Sequence, residues 1–128
     1  LFRSPLGIWD LRFPIGGVMI LQYLQQRGAG GEFIGRLFAF HDIHPWAPVH
    51  FLLVPKLHIA SMAQLGPEHE RLMGRMMVLA PKLAAEQGCN PYPEGGFRMV
   101  CNTGAEGGQE VHHLHVHVMG GPRPWLRG

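Results

Sequence analysis

His113-Leu114-His115-Val116-His117-Val118-Met119 is a strict alternation of imidazole and apolar side chains near the end of this 128-residue chain. Successive side chains of a β-strand point to opposite faces of the sheet. The alternation therefore predicts a strand over residues 111–119, with one face packed on a core and the other presenting three histidines. Exposed strand positions normally carry Thr, Lys, Glu or Ser, so this row of imidazoles indicates chemistry.

Three further strands and one helix are predicted upstream of the motif. The strands cover Leu37 to Asp42, His50 to Val54, and Phe97 to Asn102. A helix is predicted over Glu68 to Gln87, because apolar side chains recur there at helical spacing and Gly88 is a typical C-terminal cap. Strands that flank one long helix indicate an α+β fold with a largely antiparallel sheet.

The first 36 residues carry a weaker pattern. The apolar run from Val18 to Leu24 fits either a short buried strand or the start of a helix. Gly28-Ala29-Gly30-Gly31 predicts a turn, and it lacks the framing strand and helix of a phosphate-binding glycine motif. We therefore expect one domain, with an atypical N-terminal segment over residues 1–36 and the patterned domain over residues 37–128.

The composition excludes several classes of protein. A hydrophobic content of 46% suits one domain with an ordinary core, and a net charge of +2 argues against general nucleic-acid binding. No apolar run approaches the roughly 20 residues that span a bilayer, and no signal peptide is evident, so we expect no membrane association. Cys89 and Cys101 are too few for a disulfide scaffold and predict a reducing, cytoplasmic compartment.

Nine histidines stand out, and four of them lie within residues 112–117. Zinc is one interpretation, but the outer two histidines of the motif start about 13–14 Å apart at about 3.4 Å per residue. Two adjacent histidines with His50 would fit a metal more easily, although no carboxylate or cysteine stands at ligand spacing nearby. We therefore expect neither a metal nor another cofactor.

Nucleophilic catalysis is the stronger interpretation of the row. Imidazoles held close together resist charging, so the central ring stays neutral with a free lone pair. Its neighbours can donate to oxygens that gain charge in the transition state. Just upstream, Gly107-Gly108-Gln109 predicts a turn with backbone N–H groups and an amide suited to a phosphate. Together these features indicate attack at phosphorus without a metal.

These residues resemble the histidine triad (HIT) superfamily. The supporting blocks are Phe40-His41-Asp42-Ile43 with Ala47-Pro48-Val49-His50-Phe51-Leu52, then Val54-Pro55-Lys56 with His58-Ile59, and Phe97-Arg98-Met99-Val100-Cys101-Asn102 running into the glycine turn. The pair Gly120-Gly121 is similar to the Hint-type branch, the purine nucleoside phosphoramidases, whereas the diadenosine-polyphosphate hydrolase branch usually lacks it. The resemblance implies a HIT-like fold whose sheet continues across a homodimer.

The resemblance also implies a role for each matched position. His115 would be the nucleophile, with His113, His117 and His50 completing the catalytic cluster. The nucleotide would be held by Phe40, His41, Ile43 and Leu52 at the purine, Asp42 at the ribose, and Asn102, Gly108 and Gln109 at the phosphate. Trp125 becomes a candidate at the edge of the partner's active site.

Glu110 is the ninth position that the resemblance places at the nucleotide. Glu110 stands where the family often has a serine that contacts phosphate, and a carboxylate there would repel substrate unless it points away or is protonated. Five histidines are expected to be surface or hydrogen-bonded residues rather than catalysts: His41, His44, His58, His69 and His112.

The implied activity is a metal-independent hydrolysis of P–N bonds in purine nucleoside phosphoramidates, with AMP- or GMP-like products. Two alternatives stay open. One is a nucleotide-binding interaction module with weak activity, and the other is a dinucleoside polyphosphate hydrolase.

Overall fold

The computed structural model describes residues 20–125, which form one antiparallel sheet and one long helix. In chain order the elements are β1 (Ile20–Arg27), β2 (Phe33–His41), β3 (Val49–Pro55), α1 (Glu70–Glu86), β4 (Phe97–Val100) and β5 (Val116–Gly120). The strand order is β1-β2-β3-β5-β4, so β1 and β4 form the two edges. The predicted α+β fold with a largely antiparallel sheet is confirmed.

Outside the triad, each predicted helix or strand is present but differs at its ends: β2 begins at Phe33 instead of Leu37, and β4 ends at Val100 instead of Asn102. The apolar run that fitted a strand or a helix lies in β1 from Ile20 onward, while residues 1–19 and 126–128 lie outside the described residues. The predicted division at residue 36 falls inside β2. Gly88 follows the C-cap residue Gln87 of α1 with a φ of 105°, as its predicted capping role requires. Within residues 20–125, no helix has the length and apolar character needed to cross a bilayer.

The predicted strand over residues 111–119 is wrong in its first half, because β5 begins only at Val116. The preceding residues are held by the last residue of β3 and the chain segment that follows it instead of by a sheet ladder. The Leu114 N–H donates to the Ile59 carbonyl at 2.6 Å, and the His113 ring bonds to the Pro55 carbonyl at 2.8 Å. Alternation alone could not show this, since these partners lie more than 50 residues away in sequence.

The two faces of the sheet have different roles. One face packs on α1 and forms the core, which contains Leu37, Ala39, Phe51, Leu53, Leu72, Met76, Ala80, Leu83, Ala84 and Val118. The alternation of the strands places a second row on the opposite face, where Phe40 pairs with Leu52 and Leu52 pairs with His117. Packing of the core face on α1 therefore also fixes the position of Phe40, Leu52 and His117 on the opposite face.

Gly120 ends β5 where the strand passes very close to the loop after α1. A Cβ atom at this position would collide with the Cys89 Sγ atom and lie 3.0 Å from the Gly96 carbonyl oxygen. Gly74 is the opposite case, because a Cβ atom on this exposed helical residue would meet nothing within 4 Å.

We predict that Gly120→Ala lowers the free energy of unfolding by about 1–3 kcal/mol, because the added methyl group overpacks this contact. The matched control Gly74→Ala should raise it by up to about 1 kcal/mol through helix propensity. Urea unfolding of the three proteins measures both effects. Wild-type stability for Gly120→Ala would contradict the close approach of β5 to this loop.

Candidate functional site

A cavity of 420 Å³ opens on the face of the sheet opposite α1. Its size suits a small-molecule ligand. The residues lining it are Phe40, His41, Asp42, Ile43, Trp46, Leu52, Asn102, Gly108, Gln109, Glu110, Val111, His115 and His117. All nine residues predicted to bind a nucleotide are among them, together with two of the four predicted catalytic histidines.

His115 is oriented by the backbone of its own motif. Its Nδ1 atom lies 2.7 Å from the His113 carbonyl oxygen. A carbonyl only accepts hydrogen bonds, so this contact assigns the proton of a neutral His115 to Nδ1 and leaves the lone pair on Nε2. The ring lines the cavity and therefore offers a nitrogen nucleophile to a ligand there.

His113 supports this arrangement from outside the cavity. Its side chain is 3% exposed, and its Nε2 atom donates to the Pro55 carbonyl at 2.8 Å. The buried Nδ1 atom has no hydrogen-bond partner among the described residues. The ring therefore anchors the backbone that orients His115, and it is not among the groups that line the cavity.

His50 and His117 are joined by a chain of hydrogen bonds that begins at a backbone donor. The Trp46 N–H donates to His50 Nδ1 at 3.0 Å, which leaves the proton of a neutral His50 on Nε2. His50 Nε2 lies 2.9 Å from His117 Nδ1, so it donates there, and the His117 proton resides on Nε2. Asp42 Oδ2 flanks this pair at 3.5 Å from His50 and 3.7 Å from His117.

Burial and mutual repulsion keep this cluster neutral. The pKa of His117 falls from its usual 6.5 to about 4, first because of burial and then because of His115 and His50, with Asp42 opposing. Burial also lowers the pKa of His50, against the opposing Asp42 carboxylate. The pKa of His113 is lowered by burial and then by His58 and His115, although the bond to Pro55 opposes this shift. Repulsion between closely spaced imidazoles thus contributes to the lowered pKa values of His117 and His113, whereas burial alone lowers the pKa of His50.

This electrostatic arrangement predicts a loss of stability in mild acid. Between pH 6.5 and about 4 the unfolded chain protonates the His117 position while the folded chain does not, so the free energy of unfolding falls as pH falls. In His117→Asn this decline should be shallower by up to about 1.4 kcal/mol per pH unit. Urea unfolding between pH 7.5 and 4.5 tests this, with exposed His44→Asn as the control. Equal slopes for wild type and His117→Asn would refute the depressed pKa.

The glycine turn predicted to cradle a phosphate has its N–H groups already bonded within the turn. The N–H groups of Gly107 and Gln109 donate to the Gly104 carbonyl at 3.1 and 3.0 Å, and that of Gly108 donates to Ala105 at 3.1 Å. Gly108 has a φ of 79°, which favours glycine at this wall of the cavity. The turn therefore shapes the cavity through its backbone path, while the predicted free N–H groups are absent at these three residues.

The side-chain amide of Gln109 is also engaged. Its Oε1 atom accepts from the Gly104 N–H at 2.9 Å, and its Nε2 atom donates to the Ala60 and Val111 carbonyls at 2.7 and 3.0 Å. Both amide hydrogens are used, so Gln109 braces the turn although it was predicted to hold phosphate. Asn102 borders the same wall, with Nδ2 at 3.5 Å from the Gly108 carbonyl.

Two cavity residues were missed by the sequence analysis. Trp46 lies between two predicted strands and was given no role, yet its ring is nearly parallel to that of His117, with an interplanar angle of 12° and centroids 6.4 Å apart. Val111 was taken for a strand residue. The one available signal was a large aromatic side chain close in sequence to His50.

Trp125 lies elsewhere in the single chain. It lines a second cavity beside Arg98 and Arg123, and the Arg123 guanidinium stands 4.1 Å from the indole centroid. Its indole N–H donates to the Gly121 carbonyl at 3.0 Å. Its predicted place at a partner's active site therefore stays a prediction.

The spacing of Asp42, His50 and His117 would suit a metal ion, but the proton positions do not. The three ligand atoms lie 2.9–3.7 Å apart, and the point equidistant from them is about 2.0 Å from each, close to a zinc–nitrogen bond. However, the Trp46 N–H occupies His50 Nδ1, so His50 Nε2 carries a proton and cannot coordinate a metal without losing it. The hydrogen bonds therefore favour a proton-carrying cluster over a metal site.

Comparison with known proteins identifies the family of this chain. A model of the HIT domain matches residues 34–123. The chain belongs to the HIT family. It is 48% identical over 88 residues to protein HitA of Neisseria gonorrhoeae, an alignment that covers 69% of this chain and 78% of that protein. It is 43% identical over 83 residues to the purine nucleoside phosphoramidase of Escherichia coli strain K12, covering 65% of this chain and 67% of that protein.

A solved structure supports the same assignment for the fold. The HIT family hydrolase Cth-393 from Clostridium thermocellum superposes with a TM-score of 0.70 at 30% sequence identity, covering 91% of this chain and 88% of that protein. These similarities place the chain among HIT family hydrolases. Both the cavity and the histidine cluster fall within the residues that the HIT domain matches.

Proposed function

We propose that this HIT protein hydrolyses purine nucleoside phosphoramidates through a covalent nucleotidyl-His115 intermediate, without a metal. The observation that carries the proposal is the His115 ring, whose proton is fixed on Nδ1 while Nε2 is left for attack inside a cavity of ligand size. The purine nucleoside phosphoramidase relative supports the choice of substrate class.

The cavity walls suit the parts of a nucleoside phosphoryl group. Phe40, Leu52 and Ile43 offer an apolar surface for a flat purine. Asp42 binds the His44 N–H through Oδ1 at 2.8 Å, while its Oδ2 faces the histidines and remains an acceptor for ribose hydroxyls. The phosphoryl group would then lie between His115 and Asn102.

In the first step, His115 Nε2 attacks phosphorus, a new P–N bond forms, and the bond to the amine breaks. The anionic phosphoryl group raises the proton affinity of the neighbouring imidazoles, so the bound complex gains one proton on His117 Nδ1. That N–H and His50 Nε2–H then both turn towards Asp42 Oδ2, which lies 3.7 and 3.5 Å away, instead of facing each other. His117 transfers its Nε2 proton to the departing amine. The His113 carbonyl stabilises the nucleotidylated His115, which is cationic, through its bond to Nδ1–H.

In the second step, water attacks phosphorus and the P–N bond to His115 breaks. His117 Nε2, now without its proton, accepts one from the attacking water. The nucleoside monophosphate and neutral His115 are released, and the extra proton of His117 leaves with product dissociation. Both steps use only groups of this chain and water.

The assay is turnover of a fluorogenic adenosine phosphoramidate in EDTA. We predict that His115→Ala lowers turnover by more than about a thousandfold, because it removes the nucleophile. The control variant His44→Ala changes an exposed histidine two residues after Asp42 in sequence, and it should retain wild-type turnover. Intact-mass analysis after rapid quenching should show an AMP adduct on wild type but not on His115→Ala. Equal turnover by wild type and His115→Ala would disprove the mechanism.

The second candidate function is nucleotide binding with little turnover, and the exposed Glu110 at the cavity wall favours it because its carboxylate opposes an anionic phosphate. Calorimetric AMP binding without adduct or turnover would select this function. Turnover of a diadenosine polyphosphate but not of the phosphoramidate would instead indicate a dinucleoside polyphosphate hydrolase.

We further propose a homodimer whose sheet continues across β4 and which works in the cytoplasm. The proposal is supported by the position of β4 at the sheet edge, where Phe97 is 38% exposed, and by the free thiols of Cys89 and Cys101. Sedimentation equilibrium should return twice the chain mass of 14.3 kDa. A monomer at micromolar concentration would refute the dimer.

A further inference from the structure

The short chain segment that carries the nucleophile is held by three hydrogen bonds to residues 55–59, at the end of β3 and directly after it. Two of them are the His113 ring to the Pro55 carbonyl at 2.8 Å and the Leu114 N–H to the Ile59 carbonyl at 2.6 Å. The third joins His58 Nε2 to the His112 carbonyl at 3.0 Å. Residues 111–115 belong to no strand, so these bonds take the place of a sheet ladder.

His58 differs from the other two contacts because its side chain lies outside the proposed catalytic and binding residues. Its ring also packs edge-on against His113, with centroids 5.0 Å apart and an interplanar angle of 68°. His58 thus contacts both residues of the His112–His113 peptide. That peptide leads directly to the His113 carbonyl, which accepts the His115 Nδ1 proton at 2.7 Å.

We propose that His58 is a positioning residue for the nucleophile. By fixing the His112 carbonyl and the His113 ring, it holds the His113 carbonyl towards His115 and so maintains the tautomer with an unprotonated Nε2. The proposal rests on the proposed function, since this tautomer matters for turnover only if His115 attacks phosphorus. It gives a purpose to the hydrogen bond of a histidine that was expected to be a surface or hydrogen-bonded residue and not a catalyst.

The contact does not depend on the charge of His58. A carbonyl oxygen accepts, so His58 Nε2 must carry a hydrogen, and it does so in both the neutral and the protonated ring. A neutral donor of similar reach can therefore replace it. Glutamine meets this condition, whereas alanine removes both the donor and the ring.

The test compares His58→Ala, His58→Gln and the control His44→Ala. His58→Ala should lower the rate of adenylylation in a single turnover by about 10- to 100-fold, as expected for a misplaced nucleophile. The affinity for AMP should change less than twofold. His58→Gln should recover most of the rate, and His44→Ala should match wild type.

A spectroscopic readout separates positioning from a general structural role. Long-range ¹H–¹⁵N correlation spectra of the free protein should show His115 protonated at Nδ1 in wild type and His58→Gln, but a tautomer mixture in His58→Ala. Wild-type adenylylation by His58→Ala would overturn the proposal, and so would parallel losses of rate and AMP affinity that glutamine does not restore. Full turnover by His115→Ala would instead refute the proposed function. The tautomer measurement needs no turnover, so failure of the proposed function and failure of the His58 proposal can be distinguished.

Discussion

The hydrogen bond from the Trp46 N–H to His50 Nδ1 sets the proton positions of the site. A backbone N–H can only donate, so it fixes the tautomer of His50, and His50 in turn fixes that of His117. At the other end of the row, the His113 carbonyl fixes His115. Two backbone groups that cannot change their hydrogen-bonding sense therefore determine which nitrogen attacks and which nitrogen carries a proton.

Neutrality of the buried rings is the energetic basis of this arrangement. A charged imidazole here would lose solvation and face neighbouring rings of the same kind, which is why the pKa of His117 lies at about 4. The Asp42 carboxylate opposes the shift only partly. An arriving anionic phosphoryl group supplies the missing negative charge, so proton uptake is coupled to substrate binding in the proposed mechanism.

Much of the fold could be predicted from the sequence because it depends on local periodicity: helical spacing located α1, and the alternation of residues 113–119 separated the core residue Val118 from the cavity residue His117. The HIT resemblance assigned nine positions that all line the cavity. Contacts between distant segments were not accessible in this way: bonds to the Pro55 and Ile59 carbonyls hold His113 and Leu114 outside β5, and the amide of Gln109 turns towards Ala60.

The division of the sheet into a core face and a cavity face separates scaffold from recognition. Leu53 and Val118 maintain the packing on α1, while the exposed side chains of His41, Ile43 and Trp46 border the cavity without joining that core. Replacing these exposed side chains can alter the shape of the cavity entrance with little loss of folding stability. The range of accepted ligands can therefore diverge between related chains while the histidine row and its support are retained.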